Sequence, residues 1–274
     1  MQEFVPGPWG PDRKRAAVSV TFDNFGEASD IARGRWPAGE PIGNHYTATE
    51  VLPRLLDALN GVGVGVTYFV EAVNAQRYPQ QLLSLQEAGH EIGLHAWAHE
   101  NWNRLDAEAQ HANLDQSLSA LDKIGIRPKG FRPPGGVVDS QGMTTLSAFG
   151  FEYCSPVSDV FDDGFEGDLL VQPFRWTHVD AYVIDPDLAE FRRANGDSER
   201  AASVDEWNRI LLAGMESAIA EGKHLTVIFH PQFLGRDERQ WEALMTFIAN
   251  IKARDDIWLA RSGDVAQWTR SRRG

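Results

Sequence analysis

The sequence predicts an α/β fold, a (β/α) barrel of seven or eight units. Three observations carry this. Strand-like and helix-like stretches alternate across nearly the whole chain, the pattern of parallel strands joined by helical crossovers. The length, 274 residues, leaves room for that many units in one domain. Four polar residues, Asp23, His95, Arg132 and His230, each stand at or just past the C-terminal end of a predicted strand. In a parallel barrel those ends share one rim, where active sites are built. An open doubly wound sheet is the competing architecture.

Taken in order, residues 1–15 are rich in Pro and Gly and read as an arm to a single domain spanning 1–274. Ala16–Phe22 is a buried strand ending at Asp23. A long loop, 24–47, carries Trp36, His45 and Tyr46; loops of that length are often functional. Thr49 is placed to cap a helix through Asn60, with Val51, Leu52, Leu55, Leu56 and Leu59 at helical spacing. Residues 64–70 are the second strand, 74–88 a helix closed by Gly89, and 91–94 a short third strand running into His95. A helix over 106–124 turns Leu114, Leu118 and Leu121 inward. The fourth strand, 130–132, is cut by Pro133 and Pro134. A helix at 140–149, a strand at 151–155 and a sixth strand at 169–174 follow. The polar insertion 180–203 reads as a solvated surface segment. Helix 204–221, strand 224–229 leading into His230, helix 237–253, strand 257–260 and helix 264–270 complete the chain.

Composition narrows the function. Hydrophobic residues make up 42% and the formal net charge is −13. That charge opposes binding to nucleic acid or an anionic membrane, both of which need a basic footprint. The single cysteine, Cys154, excludes an internal disulfide. No basic, apolar leader opens the chain, and no run approaches the ~20 apolar residues of a membrane span. The expectation is a soluble, cytoplasmic protein acting on a small molecule, with monomer and homo-oligomer both open.

His95 and His99 stand four apart. On a helix that spacing brings two imidazoles to about 5–6 Å, close enough to share one ion. On a strand it separates them by roughly 13 Å, at about 3.3 Å per residue. A shared metal therefore requires the chain to coil directly after Leu94.

Four motifs now resemble one family. Thr21-Phe22-Asp23-Asn24 is similar to its TFDD motif, and His95-Ala-Trp-Ala-His99 to its HxxxH motif. Phe131-Arg132-Pro133-Pro134-Gly135-Gly136 is similar to RxPxG, and Leu225-Thr-Val-Ile-Phe-His230 to LxLxH. In this order they resemble the polysaccharide deacetylases, the NodB-homology, carbohydrate esterase 4-like hydrolases. Residues 176–182 and 230–236 resemble the branch holding peptidoglycan deacetylase-like proteins, allantoinases and cyclic imidases. The resemblance implies a distorted (β/α)7–8 barrel and a divalent metal, most simply Zn2+. It implies hydrolysis of an amide, imide or N-acetyl C–N bond in a small molecule or an N-acetylated sugar. It casts His95, His99 and Asn24 as metal ligands, Asp23 as general base, His230 as general acid and Arg132 as the residue that orients Asp23. The Gly135 N–H would steady the oxyanion. Asp159 is expected to tether His230 or Arg132, and Trp97, Trp102, Pro134 and Trp176 to line the substrate pocket. The sequence departs from the family at Asn24, where a second aspartate is usual, so weaker metal binding is expected unless Glu27 or Asp30 supplies a carboxylate. Gly135 replaces an aromatic residue, and Phe161 is the nearest substitute for a groove tryptophan. These losses favour a small substrate over a polymer. A polymer deacetylase and a non-catalytic binding barrel are the alternatives.

Overall fold

The computed structural model describes residues 2–3, 8–160 and 162–273. Phe161 and part of the N-terminal arm lie outside the described residues. Among the described residues ten strands form one curled sheet: β1 (Gln2–Glu3), β2 (Ala16–Asp23), β3 (Thr67–Val70), β4 (Glu91–Leu94), β5 (Gly130–Phe131), β6 (Tyr153–Cys154), β7 (Gly164–Glu166), β8 (Leu169–Val171), β9 (His224–Phe229) and β10 (Ile257–Leu259). The order is β1-β7-β8-β6-β5-β4-β3-β2-β10, with β9 on the other edge of β2. A single parallel bridge between Val179 and Ile228 brings the far side of the sheet round to β9. The sheet is thus a curled half-barrel ringed by helices, a distorted (β/α) barrel.

The pairing is parallel except at β1–β7 and β7–β8. Sequence reading found β8 and missed β7. The two are joined by Gly167-Asp168, and Gly167 has φ +61°, the conformation a two-residue hairpin turn demands. A second correction concerns the helix expected at 74–88. It is two helices, Asn74–Arg77 and Pro79–Glu87. Pro79 has no N–H to continue the first and forces Tyr78 out of the helical region.

Side-chain alternation explains where the polar residues go. On β2, Ala16, Val18, Val20 and Phe22 belong to the main apolar core, while Ser19, Thr21 and Asp23 take the opposite face and are also buried. The strand period of two assigns these residues to the barrel interior. On β3 and β4 the same parity selects Thr67, Phe69, Glu91, Gly93 and, just past the strand, His95. Gly93 is required there, because a Cβ would lie 2.4 Å from the Phe69 ring. On β9 it selects His224, Thr226 and Ile228, then His230.

Low in the barrel, His224 Nε2 lies 2.9 Å from Ser19 Oγ and its Nδ1 lies 3.1 Å from Asp163 Oδ2. The order of groups resembles a nucleophile–base–acid relay. All three residues are buried, however, and none lines either cavity of the candidate site. The arrangement is a polar strut that satisfies groups the barrel encloses.

The insertion at 180–203 is a surface segment with a fold of its own, a flap whose residues 193–200 are all exposed. It contains helices Asp180–Ile184 and Ala189–Ala194. Buried Arg192 donates to the carbonyls of Tyr182, Asp185, Ser198 and Glu199 at 2.7–3.1 Å. One guanidinium with five donors thereby ties four backbone carbonyls of the flap together. Among the described residues no helix is long and apolar enough to cross a membrane.

Candidate active site

The strand exits converge as topology requires. A cavity of about 140 Å³ is lined by Asp23, His95, His99, Arg132, Gly135, Trp176 and His230, among others. Its floor is polar and its far wall aromatic. Phe174, Trp176, Tyr182 and Phe191 form the wall, with Leu188 beside them. Trp176 stacks on Tyr182 at 5.5 Å, and Phe191 meets both edge-on. Leu188 and Phe191 come from the flap.

Asp23 and Arg132 are one unit. Arg132 Nη1 donates to Asp23 Oδ1 at 2.6 Å and to Thr21 Oγ1 at 2.8 Å, and Nη2 donates to Ser155 Oγ at 3.1 Å. The guanidinium lies 4.0 Å over the Phe69 ring. Arg132 is 1% exposed, so its rotamer is set by the barrel interior. Asp23 Oδ2 is left for another partner.

His95 and His99 approach each other without a helix. The chain leaves β4 in a turn in which Ala96 and His99 take φ +59° and +70°. Their ring centroids are 5.2 Å apart at an interplanar angle of 70°. His95 Nδ1 donates to the Arg132 carbonyl at 2.8 Å, which leaves Nε2 with a bare lone pair. Burial lowers the His95 pKa to about 3, with the Arg132 charge adding to the effect. Burial and neighbouring His95 hold His99 well below its ordinary value too. Both rings are neutral near pH 7, the form that ligates a metal.

Asn24 is also in the left-handed region, φ +65°. Its backbone carbonyl accepts from Tyr68 Oη at 3.2 Å, yet its side-chain Oδ1 is buried with no hydrogen-bond partner. An orphaned buried acceptor is free to accept from a donor or to face a cation. Among the described residues no three His, Cys, Asp or Glu side chains cluster around one point. His95 and His99 line one cavity and Asn24 a second that shares Arg33, Ala181 and His230 with it; the two neutral imidazoles are of the donor type that holds a divalent ion such as zinc, and the amide oxygen is a neutral acceptor beside them. The loop carboxylates do not join them. Glu27 is fully buried and accepts from Tyr78 Oη at 2.5 Å and Gly43 N at 3.1 Å. Asp30 faces His45 Nε2 at 3.6 Å.

His230 is held by Asp180, not by Asp159. Asp180 Oδ2 accepts from the His230 backbone N–H at 2.7 Å, and Oδ1 accepts from ring Nδ1 at 2.5 Å. Nε2 is thereby the free ring nitrogen. Asp159 is exposed and does not line the cavity; its carbonyl accepts from Arg175. Asp180 follows Val179, the residue that bridges to β9. The strand-exit rule would have found it had that one-residue bridge been legible.

Other expected pocket residues shift as well. Trp102 is 0% exposed and packs 4.7 Å from Phe131; it is core. Trp97 is half-buried against the main core, and Pro134 is buried with its carbonyl facing Trp102 N. Neither lines the cavity, where Pro133 stands instead. Gly135 does line it, at φ +80°. No described backbone hydrogen bond uses the Gly135 N–H, whereas that of Gly136 goes to Pro133.

Glu71, directly after β3, anchors the turn beyond Asn24. Its Oε2 accepts from Phe25 N at 2.9 Å and from Asn74 Nδ2 at 3.4 Å. Complete burial raises its pKa to about 8, and the nearby Asp23 charge acts in the same direction. In an unfolded chain this group ionises near its ordinary 4.5. Between those values the folded state binds the extra proton, so stability falls as pH rises. The melting temperature of the wild type is expected to drop from pH 4.5 to 8 more than that of Glu71→Gln. Parallel curves would count against a buried, neutral Glu71.

A family model described as polysaccharide deacetylase matches residues 11–154. The peptidoglycan deacetylase-like protein FGM2 of Gibberella zeae is 31% identical over 173 residues, 58% of this chain and 50% of its own. Chitin deacetylase 1 of Saccharomyces cerevisiae is 35% identical over 97 residues, 35% of this chain and 32% of its own. The chain thus spans half or less of these relatives. A Mycobacterium smegmatis structure assigned to the polysaccharide deacetylases superposes with TM-score 0.84 at 28% identity, covering 99% of this chain and 95% of that one. An allantoinase superposes at 0.79 with 21% identity, covering 98% and 95%; at that identity the likeness is one of fold.

Proposed function

The chain belongs to the polysaccharide deacetylase family, and from that premise we propose that it is a metal-dependent hydrolase of C–N bonds in small amides, imides or N-acetyl compounds. One observation carries the reading: Asp23, His95, His99, Gly135 and His230 line a single cavity of about 140 Å³ that the flap residues Leu188 and Phe191 help enclose. Cavities for drug-sized ligands run to about 300–1,000 Å³. This one suits the reacting acyl group or a small ring. The expected setting is the cytoplasm, where a lone buried thiol such as Cys154 stays reduced.

His95, His99 and the Asn24 amide oxygen would hold the ion. When bound, a divalent ion acts as a Lewis acid toward the substrate carbonyl. Asp23, kept in place by Arg132, would take the proton of the attacking water through its free oxygen. The Gly135 N–H would donate to the developing oxyanion. His230, oriented by Asp180, would deliver a proton from Nε2 to the leaving nitrogen.

The test is a side-by-side assay of acetate release from N-acetylglucosamine oligomers, acetate release from small N-acetyl compounds, and ring opening of cyclic imides. Turnover of the small compounds alone is expected. Turnover confined to the oligomers would favour a polymer deacetylase, the activity named for several relatives. Asn24 gives a separate handle. Restoring a carboxylate with Asn24→Asp adds a negative charge to the site, and zinc is expected to bind at least about tenfold tighter by chelator competition. Equal affinity in both proteins would remove Asn24 from the ligand set.

A further inference from the structure

A second, larger cavity of about 580 Å³ adjoins the catalytic one, walled by the loop 24–47 and by residues near Asp185, Gln232 and Arg236. Arg33, Ala181 and His230 line both spaces. Among the described residues, Arg33 is the arginine that lines both. It caps the short helix Ala28–Ala32, where its N–H donates to the Ser29 carbonyl. Its guanidinium has no hydrogen bond or ion pair among the described residues. The carboxylates around it are otherwise engaged: Asp30 with His45, Asp185 with Asp187 N, and Glu71 with Phe25 N. Arg35 has its own partner, Asp187, at 3.9 Å.

An arginine with five unused donors at the mouth of a reaction cavity matches a planar anion. Asp30, Glu40, Asp185 and Asp187 share the outer wall with Arg35 and Arg236; four carboxylates against two further cations disfavour a dianion such as a phosphate monoester relative to a single carboxylate. We propose that Arg33 binds a carboxylate of the substrate, so that the substrate class is a small amide or imide bearing a free carboxylate. The acyl end enters the catalytic cavity while the carboxylate stays at its mouth. This assignment rests on the site being a hydrolase of small C–N compounds, but its test does not depend on turnover.

The probes are N-acetylglycine and its uncharged counterpart N-acetylglycinamide, titrated calorimetrically into wild type, Arg33→Gln and Arg33→Lys at low salt. Wild type is expected to bind N-acetylglycine about tenfold tighter than the amide, as a charge-assisted bidentate contact allows. Arg33→Gln should bind both alike, and Arg33→Lys should keep part of the preference. The side chain is exposed to the cleft, so these variants should melt with the wild type. Equal binding of both probes by the wild type overturns the proposal. So does an equal loss for both in Arg33→Gln, or no binding of either at millimolar concentration. A charge preference that depends on Arg33 without hydrolysis of either probe would uphold the carboxylate site and count against the hydrolase. Hydrolysis of both probes with no charge preference would do the reverse.

Discussion

Replacing Asp23 by Asn is expected to lower kcat by about 10²–10⁴ while leaving KM within a few-fold, the range for loss of a general base. The amide oxygen can still accept from Arg132 Nη1, whose present bond is 2.6 Å. The scaffold should therefore survive while the ability to take a proton is lost. Asp23→Ala is the poorer probe. It would strand a guanidinium that is 1% exposed, and breaking a buried ion pair from one side costs about 3–5 kcal/mol. Single-turnover kinetics beside a thermal melt separate the two effects. Unchanged kcat in a well-folded Asp23→Asn protein would falsify the base assignment. Unchanged ligand affinity together with absent turnover in the wild type would favour a non-catalytic binding barrel.

The second large effect is expected at Asp180. This carboxylate accepts two hydrogen bonds from one residue, the backbone N–H and ring Nδ1 of His230, at 2.7 and 2.5 Å. An amide offers one oxygen and one NH2 group. In Asp180→Asn, either the backbone N–H goes unpaired or the NH2 faces Nδ1. The second case drives the ring proton to the other nitrogen and reverses the tautomer presented to the cavity. A loss of about 10²–10⁴ in kcat is expected, as for other histidines deprived of an orienting carboxylate. Because Asp180 acts through His230, the double variant Asp180→Asn/His230→Ala should lose no more than His230→Ala alone. Additive losses would mean that Asp180 has a separate role. The melting temperature should move far less than kcat, since Asp180→Asn is nearly isosteric.

Both effects concern residues of different legibility. Asp23 could be read from the sequence, because a strand period of two and a terminal carboxylate are local features. Asp180 could not. It is aimed by a single bridge from Val179 to Ile228, with no run of β-branched residues to announce a strand. Asp159 is expected as the tether only from the family resemblance. The folded chain leaves it exposed. The flap escaped for a similar reason. Its charged residues suggested solvent, yet Arg192 turns inward to satisfy four carbonyls, a long-range arrangement that composition does not reveal.

The sequence by itself determined the barrel, the four rim motifs and the need for the chain to coil after Leu94, because each depends on local periodicity and on strands exiting toward one face. Only the tertiary structure decided how that coil is made, which acid holds His230, that Trp102 is core, and that Arg33 reaches the mouth of the cavity. Those outcomes depend on residues far apart in the chain competing for the same buried hydrogen bonds and the same enclosed volume. That competition is resolved when the layers close, and no local pattern encodes it.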